Sequence, residues 1–240
     1  MASSADRMAA SAGFGALAKA DELKKRLWFT IGALIIYRLG TYLPLPGIDP
    51  NALADIFSQQ SSGILGMFDM FSGGALGRMT IFALNIMPYI TASIIMQLMT
   101  AIVPSLESLK KDGEAGRKMI NQYTRYLTVL LASVQGYGMA VGLEAASGVV
   151  NDPGPFFRVT TVVTLVGGTL FLMWLGEQIT SRGVGNGISL IIFAGIVANL
   201  PTALAGTLEL GRTGALSSLL IILLLAMAVV VVAFIVFIER

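Results

Sequence analysis

Apolar residues fall in long continuous blocks separated by polar or charged stretches, and the blocks do not alternate apolar with polar positions as barrel strands do. Six blocks are read as spans, at about 27 to 45, 79 to 103, 126 to 143, 159 to 176, 187 to 206 and 215 to 238. Each is close to or above the roughly 20 residues that cross a hydrocarbon core about 30 Å thick. Backbone exposed to lipid must satisfy its own hydrogen bonds, so the blocks predict helices. The expected fold class is therefore all-α integral membrane, a polytopic helical bundle.

Residues 51–76, "NALADIFSQQSSGILGMFDMFSGGAL", break the pattern. Gly, Ser and Asp interrupt them too often for a span, yet Ile, Leu, Met and Phe are too frequent for a wet loop. Such a segment is expected to fold back into a cavity lined by protein or water. In the second span Pro88 is expected to kink the helix near its middle. Ile86 and Ile90 flank it at i, i+4, and Ile188 and Ile192 repeat that spacing after the flexible "GVGNG". Helix packing or lipid contact is the ordinary use of such pairs; in a constriction they would form a gate that closes by dewetting. Gly138 and Gly142, also at i, i+4, predict a close helix approach.

The polar intervals carry the charge. "KADELKKRLWF", residues 19–29, reads as an amphipathic surface helix. "ESLKKDGEAGRKMINQYTR", residues 107–125, reads as a basic inner loop whose Lys110, Lys111, Arg117 and Lys118 set topology, touch anionic lipid or meet a cytoplasmic partner. "GEQITSRGVGNGIS", residues 176–189, reads as a glycine turn or as a docking tip presenting Arg182. No strand precedes its glycines and no Lys-Ser/Thr pair follows, so a phosphate loop is a weak reading.

Composition sharpens this picture: 55% of the 240 residues are hydrophobic and 12% charged. Of the sixteen Lys and Arg, only Arg38, Arg78, Arg158 and Arg212 fall on the outer side if the N-terminus is inside, so both ends are expected to be cytoplasmic. No apolar stretch followed by a small-residue cleavage site precedes Leu27, so the first span is expected to be retained. The chain has no Cys and no His, which excludes disulfides, thiolate or imidazole metal ligands and His-based catalysis. Glu177 and Glu239 lie at span ends, where a carboxylate is cheap. No cofactor, metal or catalytic residue is expected, and the protein is not read as an enzyme.

"FSGGAL", "IMPYITASI", "GRKMINQYTRY", "FLMWLGEQITSRGVGNGIS" and "IIFAGIVANLP" occur in order between about residue 20 and Arg240. Together they resemble the bacterial SecY family of protein-conducting channels. The resemblance implies the N-terminal half of a ten-span inverted-repeat channel plus its sixth span. Residues 1–26 would be a cytoplasmic segment, 27–206 the first five-span half and 207–240 the outer loop and sixth span. The implied function is to pass unfolded secretory polypeptides across the membrane and release transmembrane segments sideways into lipid.

The resemblance also implies site roles. Residues about 62–74 match a plug, covering Gly63, Ile64, Leu65, Met67, Phe68, Asp69, Met70, Phe71, Gly73 and Gly74. Ile86, Ile90, Ile188 and Ile192 match the pore ring, and Thr91 lies near a lateral gate. Lys110, Lys111, Arg117, Lys118 and Arg182 match cytoplasmic docking positions. Implied partners are SecE, SecG, the SecA ATPase, the ribosome with RNA contact through the basic loops, membrane lipid and the unfolded precursor, all at the bacterial inner membrane. Asn85 departs from the glycine more usual in such relatives. Residues 1–240 alone are expected to be about half of a channel. The rival reading is half of a secondary transporter, but that class buries ionisable residues at mid-membrane, and spans two to six hold charge only near their ends.

Overall fold

The computed structural model describes residues 21–60, 66, 69–70, 72–146, 148–213 and 217–239. Two compact units divide it, Met1–Ile196 and Val197–Arg240.

In the first unit, α1 (Asp21–Gly40) has Asp21 and Glu22 in its first turn and Arg38 in its last, complementing the helix dipole at both ends. Thr30, Ala33, Tyr37 and Gly40 form its buried stripe. Leu27, Trp28, Ile31, Ile35 and Ile36 point outward, as lipid-facing residues can without an energetic penalty. From Asp21 onward, the stretch expected to be a separate surface helix is thus the start of α1. The helix ends at Gly40, short of the expected limit at 45, and a Cβ on that glycine would overlap the ring of Phe82.

Beyond it the chain passes through turns and meets two distant segments. Leu45 N donates to Met79 O at 2.9 Å and Ile81 N to Leu43 O at 3.0 Å, while Asp49 N donates to Val149 O at 2.8 Å. This pairing corrects the expected second span. Residues 79–86 form successive turns, and α3 (Met87–Ile102) begins only after them. Pro88 therefore sits in the first helical turn, where its missing amide costs nothing, instead of kinking a helix at its middle.

The helix α2 (Pro50–Gln60) places Leu53 in an apolar cluster with Leu45, Met79, Ala83, Leu84, Ala132, Val149 and Leu165. Residues 107–125, expected as a loop, are helical apart from Asp112: α4 (Pro104–Lys111) bends 98° from α3, and α5 (Gly113–Ala145) follows. Next come α6 (Pro155–Arg182) and α7 (Gly187–Ala198), so the expected loop of residues 176–189 shrinks to 183–186.

Helices α5 and α6 meet along Ala132, Gly136 and Ala140. A Cβ on Gly136 would lie 3.6 Å from Leu165 and Val162, whereas Gly138 and Gly142 have open space around them. The close approach belongs to Gly136, not to the expected pair.

By length and composition, α5, α6, Gly187–Arg212 and Leu220–Ile238 can each cross a membrane, and α3 with α4 makes a fifth if counted as one bent span. Helix α1 is less apolar than these, with Lys24, Lys25, Arg26 and Arg38 among its 20 residues. In the second unit, α8 (Leu200–Arg212) continues past the expected limit at 206 and packs on α9 (Ser218–Glu239), with Ile221 against Gly211. The span within α9 is apolar all round, a surface suited to lipid or another apolar helix.

Candidate functional site

The segment after α2 ends in a densely hydrogen-bonded turn. Asp69, Met70 and Ser72 are helical, and the helix closes as Gly73 N donates to Met70 O at 3.3 Å and Gly74 N to Asp69 O at 3.0 Å. Gly73 and Gly74 hold φ of +68 and +81, a region glycine enters without a Cβ penalty. Asp69 Oδ1 accepts from Gly77 N at 2.6 Å, and Ser72 Oγ accepts from Leu76 N at 3.1 Å. Gly73 and Gly74 thus form a shaped turn, and the Asp69 carboxylate serves as its cap.

Helix α1 reaches this turn at two carbonyls. Tyr37 Oη donates to Ser72 O at 3.4 Å and Arg38 Nη1 to Gly73 O at 2.8 Å. Arg78 Nη2 donates to the same Gly73 oxygen at 3.2 Å. Ser72, Gly73 and Ala75 are buried, while Met70 is 55% exposed. Of the other plug positions, Gly63, Ile64, Leu65, Met67, Phe68 and Phe71 lie outside the described residues.

Ala75 belongs to the apolar cluster that gathers the isoleucines. Ile86 is its buried member, together with Tyr37, Phe82, Leu172, Leu175, Ile179 and Ile191, and Ile90 and Ile188 pack against it. Ile192 is partly buried on α7, one residue beyond the fully buried Ile191. The loop before α7 sets this register: Asn186 Oδ1 caps Ile188 N at 3.1 Å and Ser189 N at 3.3 Å, and Thr180 Oγ1 accepts from Gly187 N at 2.8 Å. Asn85, just before Ile86, is buried with φ of +50. That backbone conformation suits glycine and admits asparagine, which is a physical reason for the departure noted in the sequence.

Thr91 is exposed and donates to Met87 O at 3.0 Å. It borders a groove of about 560 Å³ together with Ser72, Asn85, Gln135 and Met139. Tyr89 and Ile188 border another of about 370 Å³ that contains an ion pair the sequence reading missed. There Arg125 Nη2 contacts the two Glu177 carboxylate oxygens at 2.8 and 2.7 Å. Nothing local signals that pair, since its partners are 52 positions apart.

Among the docking candidates, Lys110 and Arg117 share a pocket of about 270 Å³ with Ser93, Met96, Gln97 and Asn121. Lys118 lines a neighbouring one with Arg125. Lys111 pairs with Glu107 at 2.7 Å, and Arg182 is exposed at the end of α6.

This arrangement of helices is that of protein-conducting channels. A solved structure of a protein-conducting channel superposes with a TM-score of 0.54 at 21% identity, covering 72% of this chain and 36% of its own. A second, whose subject is how the SecY plug domain stabilises the closed state of the translocation channel and maintains a membrane seal, gives 0.50 at 21% identity, covering 79% and 37%. The SecY family profile matches residues 80–240, and the protein translocase subunit SecY of Buchnera aphidicola subsp. Acyrthosiphon kondoi is 58% identical over 222 residues. The chain belongs to the SecY family. That alignment covers 91% of this chain and 62% of the relative, so the chain spans less than two thirds of its length.

Proposed function

We propose that this chain supplies the first half and sixth span of a channel that passes unfolded secretory polypeptides across the bacterial inner membrane and releases apolar segments sideways into lipid. The observation that carries this reading is the convergence of Ile86, Ile90 and Ile188, from two well-separated parts of the sequence, on the cluster that also holds Ala75 of the glycine turn. With Ile192 they form one half of an apolar ring. Such a ring closes on itself, or around many different side chains, without sequence-specific hydrogen bonds.

Residues about 62–74 act as the plug, and the groove beside Thr91 forms part of the lateral gate. The basic positions Lys110, Lys111, Arg117, Lys118 and Arg182 face the cytoplasm with both ends of the chain and meet SecA or the ribosome, while SecE and SecG brace the channel in the membrane. The channel performs no bond chemistry of its own; SecA or translation supplies the drive. The test uses the full-length protein reconstituted with these partners and a radiolabelled precursor. Precursor protected from external protease is expected, and complete sensitivity at equal channel insertion would refute the reading.

A further inference from the structure

We infer that Arg38 and Arg78 are positioning residues for the closed channel: together they clamp the Gly73 carbonyl and thereby hold Ala75 against the isoleucine cluster. This rests on the channel reading above and adds to it the device that keeps the turn seated. The two guanidinium groups come from the end of α1 and from the far side of the turn, and both donate to one oxygen, at 2.8 and 3.2 Å. A carbonyl oxygen has two lone pairs, so this acceptor is saturated.

Two like charges converge here because their surroundings offset the repulsion. The Tyr42 ring lies 5.1 Å from Arg38 Cζ and 4.4 Å from Arg78 Cζ, presenting the negative face of its π system to both. Among the described residues no carboxylate lies within ion-pair distance of either arginine; the Gly73 carbonyl is the acceptor they share, while Arg38 also donates to Tyr42 Oη at 3.2 Å and Thr41 Oγ1 at 3.5 Å. The seat is tight on its other side as well. A Cβ on Gly73 would stand 3.1 Å from the Gly195 backbone, so a small displacement of this peptide either collides with α7 or breaks the clamp. The Tyr37 hydroxyl holds the preceding carbonyl, and Asp69 ties the turn to Gly77.

The test is resting ion conductance and precursor transport of the full-length reconstituted channel carrying Arg38→Met, Arg78→Met, both, or the two Lys replacements. Loss of a hydrogen bond from a charged donor shifts a two-state balance by about tenfold or more. The double Met variant is therefore expected to raise resting conductance roughly tenfold while transport is retained, and Arg38→Met should exceed Arg78→Met. The Lys pair keeps the charge and one donor each, so it should restore most of the closure. Unchanged resting conductance of the double Met variant at equal insertion overturns the inference, as does a loss of transport that parallels the leak or a Lys pair no better than Met. Ile86→Ser serves as the reference: if it leaks and the clamp variants do not, the clamp alone is wrong. If neither leaks, the ring reading fails with it.

Discussion

Asn85 turns its side-chain oxygen onto the amide of Ile86, the next residue, at 2.9 Å. The contact locks the backbone at the point where successive turns give way to α3. Its positive φ costs a β-branched residue roughly 1–2 kcal/mol. Asn85→Val is expected to lower the thermal midpoint in detergent well below that of Asn85→Gly, which keeps the conformation free. Equal midpoints for the two would mean that backbone strain does not govern this position.

Gly168 of α6 lies against the carbonyl of Ile81, and an added Cβ would run into that oxygen. The backbone of 79–81 is itself paired with 43–45 and has little freedom to move aside. Gly168→Ala is expected to destabilise by about 1–3 kcal/mol, the usual range for overpacking. Gly138→Ala, where the added methyl meets open space, should be neutral within about 0.5 kcal/mol. Denaturation in mild detergent compares them, and a harmless Gly168→Ala would refute the steric reading.

The Arg125–Glu177 pair joins α5 to α6, but its side chains are 48% and 34% exposed. Solvent screening should hold its coupling to about 0.2–1 kcal/mol despite the bidentate geometry. A double-mutant cycle of Arg125→Gln and Glu177→Gln measures this directly. Coupling above about 2 kcal/mol would show that the pair is shielded from water in the assembled protein.

If the proposed ring is right, serine at Ile86, Ile90, Ile188 or Ile192 of the full-length channel should favour wetting of the constriction and raise resting ion conductance. Ile86→Ser should also cost the most stability, since Ile86 is only 1% exposed. Planar-bilayer recordings at matched insertion decide the point. Four variants with wild-type conductance would return these residues to ordinary packing.

The helical, membrane-spanning character of the chain was legible without any tertiary information. Lipid cannot hydrogen-bond a bare backbone, so long uncharged runs such as 215–238 have one stable local structure. The ordered motifs carried the family. What they could not carry was any feature set by a partner far along the chain. Residues 79–81 are as apolar as the helix that follows, yet they pair with 43–45 and leave α3 to start at Met87, which turns Pro88 from an expected kink into a helix opener. Gly136 packs and Gly138 does not, because only the position of α6 distinguishes two glycines two residues apart. Likewise Asp69, Arg38 and Arg78 were single charges in apolar surroundings until the fold brought Gly77 N and the Gly73 carbonyl to them. Solvation and hydrogen-bond demand act on each segment by itself; which glycine is crowded, and which carbonyl a charge finds, depends on contacts that exist only once the segments are packed.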